Sequence, residues 1–206
     1  AEDEIIKARI ERLGFVLEPH SQNEAQPVNI AGAAGVYIFE TISSGNVVGL
    51  YKNIPIPFIT AETYILDEMQ LAADNHKHDI AGQTSVVIVN PKHQMAAGLN
   101  GEIKIAPSDV WIMATCAPGG DVQIVAKSKV TDCVCLAGYE KGAKDMAGNA
   151  LPARRVITFI SRNSAPIMTD EGWRLFDNSI LWGMGREKAA VSPEGSAAIT
   201  WGTLKY

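Results

Sequence analysis

Apolar and polar positions along this chain fall into short blocks that can be read one at a time. Ile5, Ile6, Ile10 and Leu13 recur near helical spacing behind an acidic first turn of Glu2, Asp3 and Glu4. Gly14 closes the run, so residues 2–13 are expected to form a helix. FVLEPH (15–20), GVYIFE (35–40) and PIPFIT (55–60) are apolar runs of strand length. Between them lie the polar stretch SQNEAQPVN and the segment TISSGNVVGLYKN, where Ser43 and Ser44 mark a helix start. AETYILDEMQLAAD (61–74) reads as a helix with Thr60 as its N-cap, and His76-Lys77-His78-Asp79 as a polar loop.

The second half changes rhythm. SVVIVN (85–90), EIKIA (102–106), DVWIMATCA (109–117) and DVQIVAKSKV (121–130) follow at regular intervals, with an explicit turn at Pro118-Gly119-Gly120. The later members of that series read as antiparallel strands. CVCLAGYEKG (133–142) and RRVITFIS (154–161) follow. Residues 170–185, DEGWRLFDNSILWGMG, carry Trp173, Phe176, Ile180, Leu181 and Met184 on one stripe, the mark of an amphipathic helix.

Strand and helix thus alternate at both ends of the chain. Alternation predicts an α/β fold with a mostly parallel, doubly wound sheet flanked by helices. The expected layout is one α/β domain over residues 1–186, with a β-rich insert at about 101–135, and an extended tail over 187–206. Doubly wound folds normally open on a strand, whereas this chain opens on a helix. We expect the first strand to lie upstream; the alternative is that another segment fills its place.

Composition narrows the partners. The chain has 206 residues, 47% hydrophobic and 20% charged, with a net charge of −5 and no basic run. Nucleic acid and anionic membranes are poor partners for such a surface. No stretch approaches 18 consecutive apolar residues, so no membrane span is expected. The opening AEDEIIKARIERLGF lacks the layout of a signal peptide, leaving a cytosolic protein or one whose leader has been removed. Three cysteines are too few for a disulfide scaffold. Cys133 and Cys135 alternate on one strand and face opposite sides. Cys116 could pair with either, but buried free thiols are the expectation, and the redox compartment stays open.

Several stretches, taken in order, carry a family likeness: PIPFITAETYILDEMQL, VNPKHQMAAGL, GYEKGAKDMAGNALPARRV, ARRVITFIS, DEGWRLFDNSILWGMG and the terminal ITWGTLKY. Together they resemble the ThuA-like group of flavodoxin-like domains, related to the class I glutamine amidotransferase fold. The variant they resemble is found in large secreted bacterial proteins beside carbohydrate-binding and immunoglobulin-like modules. The resemblance implies a flavodoxin-like sheet and a secreted or cell-surface location, with a cytoplasmic one as the alternative. Two departures stand out. Amidotransferases carry a Cys nucleophile in a glycine-rich turn, and the turn after GVYIFE reads TISSGN instead. No His follows the late strand, where ISRNSAP stands.

Candidate sites follow from this layout. Glu40 ends one strand and Glu62 follows the next, so both carboxylates are expected at the carboxyl edge of a parallel sheet, where such folds bind ligands. Paired carboxylates can do acid–base work or hold a cation. Ser43, Ser44 and Tyr64 would add hydroxyls to a sugar-binding crevice. His93 is either a general base or metal ligand at the same edge, or a capping side chain that shapes a turn, and the capping reading is preferred. His76 and His78 lack the convergent partners of a zinc site. Trp173 and Trp182 belong to the core, while Trp111 and Trp201 are freer to stack on sugars. GNVVG and GAAG lack a dinucleotide fingerprint.

The expected function is a non-catalytic accessory or structural module of an extracellular multidomain protein, one that binds carbohydrate or forms assemblies. No catalytic residue, metal or cofactor is assigned. The expected partners are neighbouring domains or identical subunits, and carbohydrate. The competing reading is a hydrolase acting on a sugar or amide through Glu40, Ser43 and Glu62.

Overall fold

The computed structural model describes residues 2–24, 30–73, 77–186 and 203–205. His76, Trp201 and the stretch 187–202 of the expected tail lie outside the described residues. The described α-helices are α1 (Glu2–Arg12) and α2 (Asp170–Gly183). Between them run β1 (Val16–Glu18), β2 (Ala33–Ile38), β3 (Phe58–Thr60), β4 (Lys77–Gln83) and β5 (Ser85–Ile88). Next come β6 (Gly101–Lys104), β7 (Val110–Thr115), β8 (Gln123–Ser128), β9 (Val134–Tyr139) and β10 (Arg155–Ile157), while β11 (Thr203–Lys205) follows α2.

These strands make one mixed sheet in the order β1-β11-β2-β3-β10-β9-β8-β5-β6, with β7 joining β9 and β4 joining β7. The fold is therefore α/β, but the expected mostly parallel sheet needs correction. β1, β11, β2, β3 and β10 pair in parallel. All other pairings are antiparallel: β10 with β9, β9 with β8 and β7, β8 with β5, β5 with β6, and β7 with β4. The cause is connection length. A parallel pair needs a long crossover, usually a helix, whereas antiparallel neighbours can be joined by a tight turn. Residues 77–139 carry six of the described strands, β4 to β9, with no α-helix among them to make a crossover.

Strand periodicity places the core. Tyr37 and Phe39 point to the face that α1 and α2 cover, with Ile6, Ile10, Phe176 and Ile180. Val36 and Ile38 point to the other face, where Val47, Tyr51, Leu66 and Met69 pack. β2 is thus buried on both sides, as a central strand of an α/β sheet must be.

Segments 41–53 and 61–74 are not the expected helices. Each holds one short 3-10 turn, Ser44–Asn46 and Thr63–Ile65, and then irregular turns. Gly49 (φ 70°) and Gln70 (φ 58°) adopt left-handed backbone, which a continuing α-helix does not allow. Glu62, not Thr60, caps the second turn. Residues 77–79 of the expected polar loop are instead the start of β4.

The cysteine expectation also changes. Thr115 pairs with Val134 across β7 and β9, so the next residues out, Cys116 and Cys133, meet and form a disulfide. Cys135 is the free, buried thiol. Arg155 is fully buried in β10. It donates to the carbonyl oxygens of Lys52, Ile54, Ile56, Ala153 and Arg154, holding the loop before β3 against the sheet.

Candidate functional site

β2, β3 and β10 run in parallel and so release the chain at one edge. Glu40 lies two residues past β2, Glu62 two past β3, and Ser161-Arg162-Asn163 shortly past β10. The antiparallel ribbon of β4 and β7 lies against that last segment, with Met113 N–H bonded to Phe159 O at 3.0 Å. Asp79 and Met113 are cross-strand partners on the ribbon. Together Glu40, Asp79, Trp111, Met113, Ser161, Arg162 and Asn163 line a crevice of about 200 Å³.

The floor is an ion pair with a fixed geometry. Glu40 accepts from the Arg162 backbone N–H (3.0 Å), from its Nε (3.1 Å) and from its Nη2 (2.8 Å). The Glu40 side chain is 10% exposed and that of Arg162 60%, so the carboxylate is sheltered and the guanidinium reaches the opening. Asn163 Oδ1 accepts from Trp111 N–H (3.2 Å) and from Ser161 Oγ (2.7 Å), which joins the loop to β7. Ser161 Oγ is also 2.7 Å from Trp111 O. Trp111 itself is 49% exposed.

Glu62 does not line this crevice but interacts electrostatically with Glu40, Asp79 and Arg162, which do. It is 4% exposed, and its carboxylate accepts from Tyr64 N–H at 2.7 Å, capping the 3-10 turn. Burial pushes its pKa up to about 7 against the pull of the Tyr64 hydrogen bond; Asp79 and Glu40 push the same way, and Arg162 opposes them. A carboxyl group tuned to this range is able to carry a proton at neutral pH.

The other expected site residues distribute as follows. Tyr64 is 39% exposed on the turn after Glu62 and does not line the crevice. Ser43 N–H bonds to Gln22 Oε1 beside the 3-10 turn at Ser44–Asn46, and neither Ser43 nor Ser44 lines the crevice. His93 stands at the opposite edge. β5 is antiparallel to β8, β8 to β9, and β9 to β10, so β5 ends where the parallel strands begin. There the His93 ring packs on Trp182 with centroids 4.9 Å apart. Its Nδ1 accepts from Met95 N–H (3.2 Å), so Nε2 carries the proton and donates to Gln123 Oε1 (2.9 Å). Burial holds its pKa below the usual histidine value. That is a turn cap, and Ala97 and Gly98 complete the turn in left-handed backbone.

Sequence reasoning singled out Glu40 and Trp111 but did not join them. Asp79, Arg162 and Asn163 were missed. Arg162 and Asn163 had one available signal: they are the polar residues directly after the last parallel strand, the position from which open α/β sheets reach ligands. Among the described residues, no serine or cysteine hydrogen-bonds to a histidine, and no cluster has the composition of a metal site.

No family model and no curated protein matches the chain. A solved structure similar to it is the cytoplasmic protein STM3548 from Salmonella typhimurium, at 7% identity and a TM-score of 0.49, covering 76% of this chain and 74% of that one. Likeness at this level carries no statement about activity.

Proposed function

We propose that the chain is a non-catalytic accessory module of an extracellular multidomain protein, and that it binds carbohydrate in the crevice at the carboxyl edge of its parallel strands. One observation carries this reading: a half-exposed indole, Trp111, shares a small concavity with Glu40, Asp79, Arg162 and Asn163. Sugar rings offer an apolar face for an aromatic ring and a rim of hydroxyl groups for planar polar side chains.

The ThuA-like, flavodoxin-like assignment belongs to the same reading. Its support is the spatial order of the parallel strands, β1-β11-β2-β3-β10. Set against the flavodoxin order 2-1-3-4-5, β11 takes the place of the first strand. The disulfide between Cys116 and Cys133 supports an oxidising, extracellular location, since such bonds persist mainly there. Neighbouring domains or further copies of the chain are the expected packing partners.

A second reading has its own observation. Glu62, its pKa pushed up to about 7 by burial with Asp79 and Glu40 adding to the rise, has the tuning of an acid–base group in a hydrolase. One assay separates the two. Purified protein is titrated with a panel of oligosaccharides while product release is followed over the same hours. Saturable binding without product, lost in Trp111→Ala, supports the module. Product formation abolished by Glu62→Gln overturns it in favour of the hydrolase, and absence of binding to every member of the panel sinks the carbohydrate assignment.

A further inference from the structure

Resting on the carbohydrate reading, we infer that the crevice is a pocket for the acetamido group of an N-acetylated amino sugar. Its volume, about 200 Å³, is below the ~300 Å³ at which ordinary ligand pockets begin, so it takes a substituent rather than a whole oligosaccharide. The chemistry of its walls then decides which substituent.

Three kinds of wall meet there. The first is a pair of open donors. Arg162 spends Nε and Nη2 on Glu40, and its Nη1 has no protein acceptor among the described residues. Asn163 spends Oδ1 on Trp111 N–H and Ser161 Oγ, which orients the amide and leaves Nδ2 to donate. The second is acceptor capacity: the Glu40 carboxylate receives three donors of Arg162 and keeps about one of its roughly four lone-pair sites, and the Asp79 carboxylate lines the crevice beside it. The third is apolar: the Trp111 indole and the Met113 side chain.

An acetamido group is the small sugar substituent that uses all three at once. Its carbonyl oxygen accepts from Arg162 Nη1 and Asn163 Nδ2. Its N–H donates to a carboxylate. Its methyl group packs on Trp111 and Met113. A ligand carboxylate would use the donors but be repelled by Glu40 and Asp79. An ammonium would use the acceptors but leave the open donors and the apolar wall unfilled. A hydroxyl would leave the apolar wall unfilled.

The test is calorimetric titration of the full chain with three matched trisaccharides: tri-N-acetylchitotriose, its fully deacetylated counterpart, and cellotriose. The expected result is at least tenfold tighter binding of the acetylated trimer than of either other. Asn163→Asp keeps Oδ1 for Trp111 and Ser161 and removes the Nδ2 donor; it should cut affinity for the acetylated trimer about tenfold, in line with one lost hydrogen bond. Its melting temperature, recorded alongside, reports whether the loop still holds. Equal binding of all three trimers overturns the acetamido assignment and leaves the carbohydrate reading standing. Tighter binding of the deacetylated trimer overturns it in favour of an ammonium site. Binding of none overturns both.

Discussion

Glu62 shows how one residue's surroundings set a measurable property of the molecule. A carboxylic acid whose folded pKa exceeds its ordinary value holds its proton more tightly when folded. The native state therefore binds more protons than the unfolded chain between about pH 4.5 and about 7, and stability declines as pH rises through that window. Above pH 7 the loss is complete and level. Glu62→Gln retains an oxygen to accept from Tyr64 N–H and removes the ionisation. It should leave stability nearly unchanged at pH 4.5 and raise it at pH 8 by roughly 1–3 kcal/mol, following ~1.4 kcal/mol per pKa unit. Urea midpoints at the two pH values check this, and an equal shift at both would show that ionisation is not the cause. Arg155 presents the reverse case, a buried cation whose donors are spread over five carbonyl oxygens, three in the 52–56 loop and two just before β10. Arg155→Met removes every donor while keeping most of the volume. A loss of about 3 kcal/mol or more is expected by chemical denaturation, because buried acceptors are left unpaired.

At the scale of elements, what local pattern can encode was legible. The periodicities of α1 and α2, the apolar run of β2 and the capping role preferred for His93 all depend on neighbours within a few residues. Pairing was less legible, because it is decided by residues far apart. His93 follows a strand, and the strand's direction, not its sequence, determines which edge the imidazole reaches. The helices expected at 41–53 and 61–74 fail for a related reason: their apolar side chains pack on the sheet from irregular turns, with Gly49 and Gln70 in left-handed backbone. The disulfide is another non-local outcome, set by the Thr115–Val134 register. It closes a loop with a sequence separation of 17. Its loss should cost about 3 kcal/mol by the chain-entropy relation. Thermal melts with and without reductant, and of the Cys116→Ser/Cys133→Ser double variant, should show matching decreases; no decrease would mean that β7 and β9 are held together without the bond.

For the whole molecule, the sheet has two halves with separate consequences. Its parallel half sends Glu40, Glu62 and the Ser161–Asn163 segment to one edge, and its antiparallel half sends the β4–β7 ribbon back across that edge to add Asp79, Trp111 and Met113. The carboxylates were foreseeable because each directly follows a buried apolar run. The crevice was not, because Trp111 and Met113 on β7 and Ser161–Asn163 after β10 lie far from both carboxylates in sequence and meet them only on folding. The central claim is that this crevice is where the protein meets its ligand. It is tested most directly by mapping backbone amide shifts in 15N-labelled protein during titration with tri-N-acetylchitotriose, with His93→Ala as a control for the opposite edge. The account predicts saturable shifts confined to residues around Glu40, Asp79, Trp111 and Arg162–Asn163, unchanged in His93→Ala and absent in Trp111→Ala. Shifts centred on the His93 turn, or none at saturating sugar, would contradict it.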